Sequence, residues 1–153
     1  MNNPEISMVD ISNKKDIIRI ATAEGKIYLN SITIEKIINK EIKKGDVLTA
    51  AQLAAISAVK KTPELITLAH PIPITNINVN FNINKNENYI LCTVTVKSIA
   101  KTGVELEAIM GVMMGLLTIL DFTKYLEKDE KGQYPTTKIS DIRVIQKIKK
   151  DEK

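Results

Sequence analysis

Asn76-Ile77-Asn78-Val79-Asn80-Phe81-Asn82-Ile83-Asn84 alternates asparagine with apolar side chains without a break. A period of two is that of a strand buried on one face only, and the asparagines predict that the other face is wet. Asn84 to Asn88 reads as a turn. Ile90, Cys92, Val94 and Val96 then alternate with Leu91, Thr93, Thr95 and Lys97, an antiparallel partner for the first strand. Downstream, Thr102-Gly103-Val104-Glu105 matches a capping box and predicts a helix to about Lys128. A loop at Lys131 to Pro135 and a last strand over Ile139 to Ile148 follow. Upstream, Arg19 to Leu29 reads as a strand or hairpin broken at Glu24-Gly25, and Ile34, Ile37 and Ile38 have helical spacing behind Ser31. After a loop from Ile42 to Leu48, Thr49-Ala50-Ala51-Gln52 opens an alanine-rich helix to Lys61. Thr62 and Pro63 suit the cap and first position of a second short helix ending at His70. The order β-α-(α)-β-β-α-β predicts an α+β fold of ferredoxin-like, split βαβ type with an extra helix. Its antiparallel sheet would carry helices on one face.

The 153 residues fit a single domain over 1–153, with a polar, partly flexible arm over 1–15. Hydrophobic residues at 44% and charged residues at 26% are the proportions of a soluble globular protein. Cys92 is the only cysteine, which rules out an intramolecular disulfide and suits a reducing, cytoplasmic compartment. The N-terminus has no basic region followed by an apolar stretch, so no signal peptide is expected. One cysteine and one histidine exclude a structural zinc site, and no metal is expected. The net charge of +4, with lysines crowding the end of the chain (Lys147, Lys149, Lys150, Lys153), suits an anionic ligand, although solubility alone explains it too. From Leu106 to Leu120 the long helix is apolar on nearly every face, yet too short and too interrupted to span a membrane. It must bury against its own sheet on one side and a second subunit on the other, where Gly111 and Gly115 allow close approach.

His70, the only histidine, precedes Pro71, so the chain must leave any helix there. Alone it reads equally well as a satisfied core histidine or as a ligand-binding group titrating near neutrality. Its company favours the second reading. Lys44-Gly45-Asp46 offers a lysine beside a backbone bend, although a plain turn explains the tripeptide. Lys60 and Lys61 end a helix, where positive charge is favourable anyway. Lys101-Thr102-Gly103 stands at a helix start, where free N–H groups attract anions. Glu105 is explained as the capping-box partner. Glu107 is not, being an acid in an otherwise apolar helix that must be paired, ligand-bound or at a subunit boundary. Asp121 and Lys124, three apart, are neighbours on one helix face and form an ordinary ion pair or a tuned acid–base couple.

Five motifs in order over about Met8 to Lys128 resemble the molybdenum cofactor biosynthesis protein C family, the cyclic pyranopterin monophosphate synthases. They are Met8-Val9-Asp10-Ile11-Ser12, Lys44-Gly45-Asp46-Val47, Leu68-Ala69-His70-Pro71, Lys101-Thr102-Gly103-Val104-Glu105-Leu106-Glu107-Ala108 and Leu117-Thr118-Ile119-Leu120-Asp121. The resemblance implies conversion of 3′,8-cyclo-7,8-dihydroguanosine 5′-triphosphate into cyclic pyranopterin monophosphate with release of pyrophosphate. It implies a homo-oligomer, a hexamer built as a trimer of dimers, with sites at subunit interfaces. It places the catalytic aspartate on Asp121 and functional lysines on Lys44, Lys60 and Lys124. Substrate contacts fall on Leu68, Ala69 and His70 and on Leu106 and Glu107, beside Glu105. Arg19 and Lys14 match basic positions near the phosphate end. Ala69 stands where many members have cysteine, which argues against an essential thiol there. The glycine-rich basic tail of many bacterial members is absent, and its lysine is placed at Lys147.

The chemistry fits these residues. Lysines can neutralise a triphosphate and, when desolvated, exchange protons. In this reading Lys44 and Lys124 form the acid–base pair, Asp121 orients Lys124, and His70 and Glu107 position the base or sugar. No redox change is needed, so no cofactor is expected. The rival reading is a non-enzymatic ferredoxin-like module binding RNA or a small anionic regulator. Aromatic residues at 4% and strands without paired exposed aromatics speak against RNA.

Overall fold

The computed structural model describes residues 5–151. Met1 to Pro4 of the arm and Lys153 of the lysine-rich end lie outside the described residues. The elements run β1 (Ile17–Tyr28), α1 (Ser31–Ile38), α2 (Val47–Leu65), β2 (Ile74–Asn84), β3 (Tyr89–Ala100), α3 (Glu105–Glu127) and β4 (Lys138–Lys150). All strand pairs are antiparallel in the order β2-β3-β1-β4, the ferredoxin-like arrangement with one extra helix. The asparagine-rich strand is as its period predicts: Val79 is buried, and Asn76, Asn78, Asn80 and Asn82 are exposed.

Several local readings need correction. β1 is not broken at Glu24-Gly25. It runs unbroken along β3, and its only irregularities are register shifts against β4 on either side of Glu24. Gly25 serves α3 instead, because a Cβ there would meet Val112 Cγ1 at 2.8 Å and Ile142 Cγ1 at 2.9 Å. α1 is capped by Asn30, one residue before Ser31.

α2 begins two residues before Thr49, which is not its cap. The Asp46 carboxylate accepts from the Thr49 N–H at 3.1 Å. Nor does a second helix start at Thr62-Pro63. Pro63 lies in the last turn of α2, where its missing N–H costs one bond near an end. The Thr62 hydroxyl donates back to the Ala58 carbonyl at 3.0 Å instead of capping anything. The helix ends at Leu65, and His70 follows a turn at Ile66–Ala69 in the connection to β2.

α3 has no side-chain cap, since the Glu105 carboxylate pairs with Lys147 rather than returning to Thr102. At 23 residues it is long and apolar enough to cross a bilayer, contrary to the length argument. Yet its Ala108, Val112, Leu116 and Ile119 are wholly buried in the core with Ala23, Ile27, Cys92 and Val94 of the sheet. Gly111 and Gly115 face that same interior rather than a second subunit. A Cβ on Gly111 would lie 2.9 Å from Val59 Cγ2, and one on Gly115 3.6 Å from the Ala55 Cβ. Those contacts set α2 antiparallel against α3. The outward face of α3 still exposes Leu106, Met113 and Leu117.

Candidate active site

Lys44-Gly45-Asp46 divides three tasks among three residues. Gly45 has φ +114°, which L side chains rarely adopt. Asp46 caps α2, and Lys44 is left to reach across to the C-terminal part of α3. There its Nζ donates to Asp121 Oδ2 at 2.7 Å, while Lys124 Nζ lies 3.1 Å from Asp121 Oδ1. One carboxylate thus bridges two ammonium groups, all three side chains about half exposed. The Lys44 hydrogen bond first, and that of Lys124 second, hold Asp121 below the ordinary carboxylate range. The loop is seated by aromatic residues that the sequence reading did not single out. Lys43 N donates to the Tyr125 hydroxyl at 3.3 Å, and Lys44 Nζ stands 5.5 Å from the Phe122 ring centre.

His70, Leu68, Ala69, Leu106, Glu107 and Lys14 meet in an open cleft of about 420 Å³ beside the start of α3. Glu107 is 2% exposed, and its Oε2 has no hydrogen-bond partner. Burial pushes its carboxyl above the ordinary range, and the neighbouring negative charge of Glu105 adds to the rise. The unsatisfied oxygen marks a place where a ligand donor, or a proton on the acid itself, is needed.

Glu105 points elsewhere. Its partial burial alone would raise its pKa, but the Lys147 hydrogen bond and charge, with Arg19 nearby, bring it below the ordinary value. Arg19 is buried and donates from Nε to the Ala100 carbonyl at 3.2 Å and from Nη2 to the Lys101 carbonyl at 3.0 Å, fixing the turn before α3. Lys60 is exposed on α2, next to the Val59 that packs on Gly111. The two groups therefore lie at different ends of α3. Glu107 and Asp121 are separated by about 21 Å along the axis at 1.5 Å per residue, and one chain does not bring them together.

Glu127 was not foreseen. Its buried carboxylate accepts from the Asn30 N–H at 3.1 Å to each oxygen and from the Thr33 and Thr137 hydroxyls at 2.5 Å each. These bonds clamp the α3 terminus to α1 and to the start of β4. Only the fold assembles the donors, so spacing in the chain carries no signal of it. Among the described residues, no three His, Cys, Asp or Glu side chains converge as metal ligands.

Fold and site together define a ferredoxin-like domain with a lysine–aspartate–lysine cluster at one end of its longest helix and a histidine–glutamate cleft at the other. The chain belongs to the MoaC family, whose model matches residues 8–150. It is 56% identical over 145 residues to a probable cyclic pyranopterin monophosphate synthase of Archaeoglobus fulgidus, covering 95% of this chain and 92% of that protein. The corresponding protein of Pyrococcus furiosus is 52% identical over 146 residues, covering 95% and 92%. A Methanothermobacter thermautotrophicus relative, 51% identical over 144 residues and covering 94% and 89%, is named a probable accessory protein of that synthase.

Proposed function

We propose that the protein is a cyclic pyranopterin monophosphate synthase. It converts 3′,8-cyclo-7,8-dihydroguanosine 5′-triphosphate to the cyclic monophosphate and releases pyrophosphate, an early step in making the molybdenum cofactor. The observation that carries this reading is the Asp121 carboxylate held between Lys44 and Lys124 at 2.7 and 3.1 Å. Rebuilding a purine into a pyranopterin needs several proton transfers, and closing the cyclic phosphate needs a ribose-derived oxygen to attack the α-phosphorus as pyrophosphate leaves. Two ammonium groups on a shared carboxylate supply both charge and protons. One lysine donates a proton to the departing pyrophosphate and is restored by the proton the attacking hydroxyl releases, the other neutralises the phosphate charge, and Asp121 keeps both aimed. His70, Leu68 and Glu107 hold the base and sugar, and Lys14, Lys60 and Arg19 serve the phosphate end. The relatives' names favour this reading over an RNA-binding or regulatory module.

The active unit is a homo-oligomer, a hexamer assembled as a trimer of dimers, working in the cytoplasm. Two features support assembly: the two site halves stand at opposite ends of α3, and that helix exposes Leu106, Met113 and Leu117. A second copy that laid its Asp121 end beside the first copy's His70 end would complete the site and cover that face. The deciding experiment supplies the cyclised GTP intermediate to the purified protein and assays pyranopterin and pyrophosphate. Both products should form in equal amounts. Intact substrate after prolonged incubation with correctly assembled protein would reject the reading.

A further inference from the structure

The motif Met8-Val9-Asp10-Ile11-Ser12 has no part in the chemistry described so far, yet it touches the site at two points. Residues 5–16 form neither helix nor strand. They run as a strap beside His70 and the turn before α3, and Val9, Ile11 and Lys14 contribute one wall of the His70–Glu107 cleft. The Val9 carbonyl lies 2.7 Å from His70 Nε2, and the Ser12 carbonyl accepts from Lys101 Nζ at 2.9 Å. Between them the Asp10 side chain accepts from the Ser12 N–H at 2.8 Å, closing an Asx turn. The strap gains little from apolar burial, because Ile6 is 87% exposed and Val9 69%. It is held by polar contacts, and two of these are to side chains of the cleft and its adjoining turn.

A carbonyl oxygen only accepts, so Nε2 of His70 must carry the proton in this contact. In the neutral ring the lone pair then lies on Nδ1 alone. A partly buried imidazole without such a partner turns about χ2 and exchanges tautomers freely. We propose that Asp10 is a positioning residue. By folding the strap it presents the Val9 carbonyl to His70, locks the ring in the Nε2–H tautomer, and leaves Nδ1 as the one ring atom able to accept a proton or hydrogen bond from substrate. This rests on the reading of His70 as a substrate-contacting residue.

Because the chain has one histidine, ring-nitrogen NMR of the full-length, ¹⁵N-histidine-labelled protein gives one unambiguous pair of signals. At a pH where the ring is neutral, the wild type should show a single tautomer. Asp10→Ala should show averaging between both, and Asp10→Asn, whose amide oxygen can close the same turn, should recover the single form. With substrate, Asp10→Ala should lower kcat/KM by about tenfold or more, the scale on which removing a group that orients a functional side chain acts. In a His70→Ala background it should cost nothing further. A single Nε2–H tautomer in Asp10→Ala, or an undiminished Asp10 effect without His70, overturns the proposal. The NMR measurement needs no substrate, so failure of the strap is distinguishable from failure of the synthase reading.

Discussion

Two carboxylates on α3 have opposite environments, and each forecasts its own behaviour. Asp121 lies between two ammonium groups and is held ionised, so Asp121→Asn removes the one charge that holds both ammonium groups in place. Turnover should fall by about 100-fold or more, within the range for acid–base groups. The melting temperature should hardly move, since ion pairs this exposed contribute little. Near-normal turnover would reduce the cluster to a surface ion pair. Glu107 works the other way. Its folded-state pKa lies above its unfolded one, so between the two values the folded chain binds more protons. Stability therefore falls as pH rises through that window, the reverse of the usual carboxylate. Glu107→Gln should raise the melting temperature at about pH 7, with the gain shrinking towards about pH 4, near the ordinary glutamate value. A lower melting temperature at neutral pH would show that the ionised carboxylate has a partner after all.

At the scale of elements, the glycines separate close packing from ordinary contact. Gly25→Ala puts a methyl group 2.8–2.9 Å from Val112 and Ile142, so α3 and β4 must shift. The expected cost is about 1–3 kcal/mol in a denaturant titration. Gly115→Ala meets its neighbours at 3.4–3.6 Å and should lose less than about 1 kcal/mol, mainly through removal of a helical glycine's entropy cost offsetting slight crowding. Equal losses would mean that the helix-to-sheet spacing is not set at Gly25. The same residues show what sequence does and does not disclose. Strand periods were legible because alternation is local, as in Asn76 to Asn84. Glycines were not, because Gly25 looks like a turn signal until the helix above it is in place. The cap of α2 is not legible in the same way: Asp46 competes with Thr49 three residues on, and only the backbone decides between them. Glu105 satisfies the capping-box pattern, but Lys147, reached through β4, outbids a local bond. The candidate site residues stand out in the sequence as types and motifs. Their division between two ends of one helix does not, since no local pattern encodes distance in space.

At the scale of the whole molecule, that division sets the sharpest test of assembly. A helix of this length separates Asp121 from Glu107 by about 21 Å, too far for one substrate to meet both within a subunit. An active site using both groups must therefore borrow one of them. Protein lacking His70 (His70→Ala) and protein lacking the aspartate (Asp121→Asn) should each be nearly inactive alone. Unfolded together, mixed in equal amounts and refolded, they should form hybrids in which one of the two sites pairs both defects and the other pairs two intact halves. With random association in two-fold pairs, about half the dimers are hybrid and one site in two is intact, so about a quarter of wild-type activity should return. Light scattering on the same samples should show an assembly larger than a monomer. Regained activity cannot arise from a site contained in one chain, because no chain in the mixture has both groups. If the mixture stays as inactive as its components while assembling normally, the His70 cleft and the Asp121 cluster do not share a substrate.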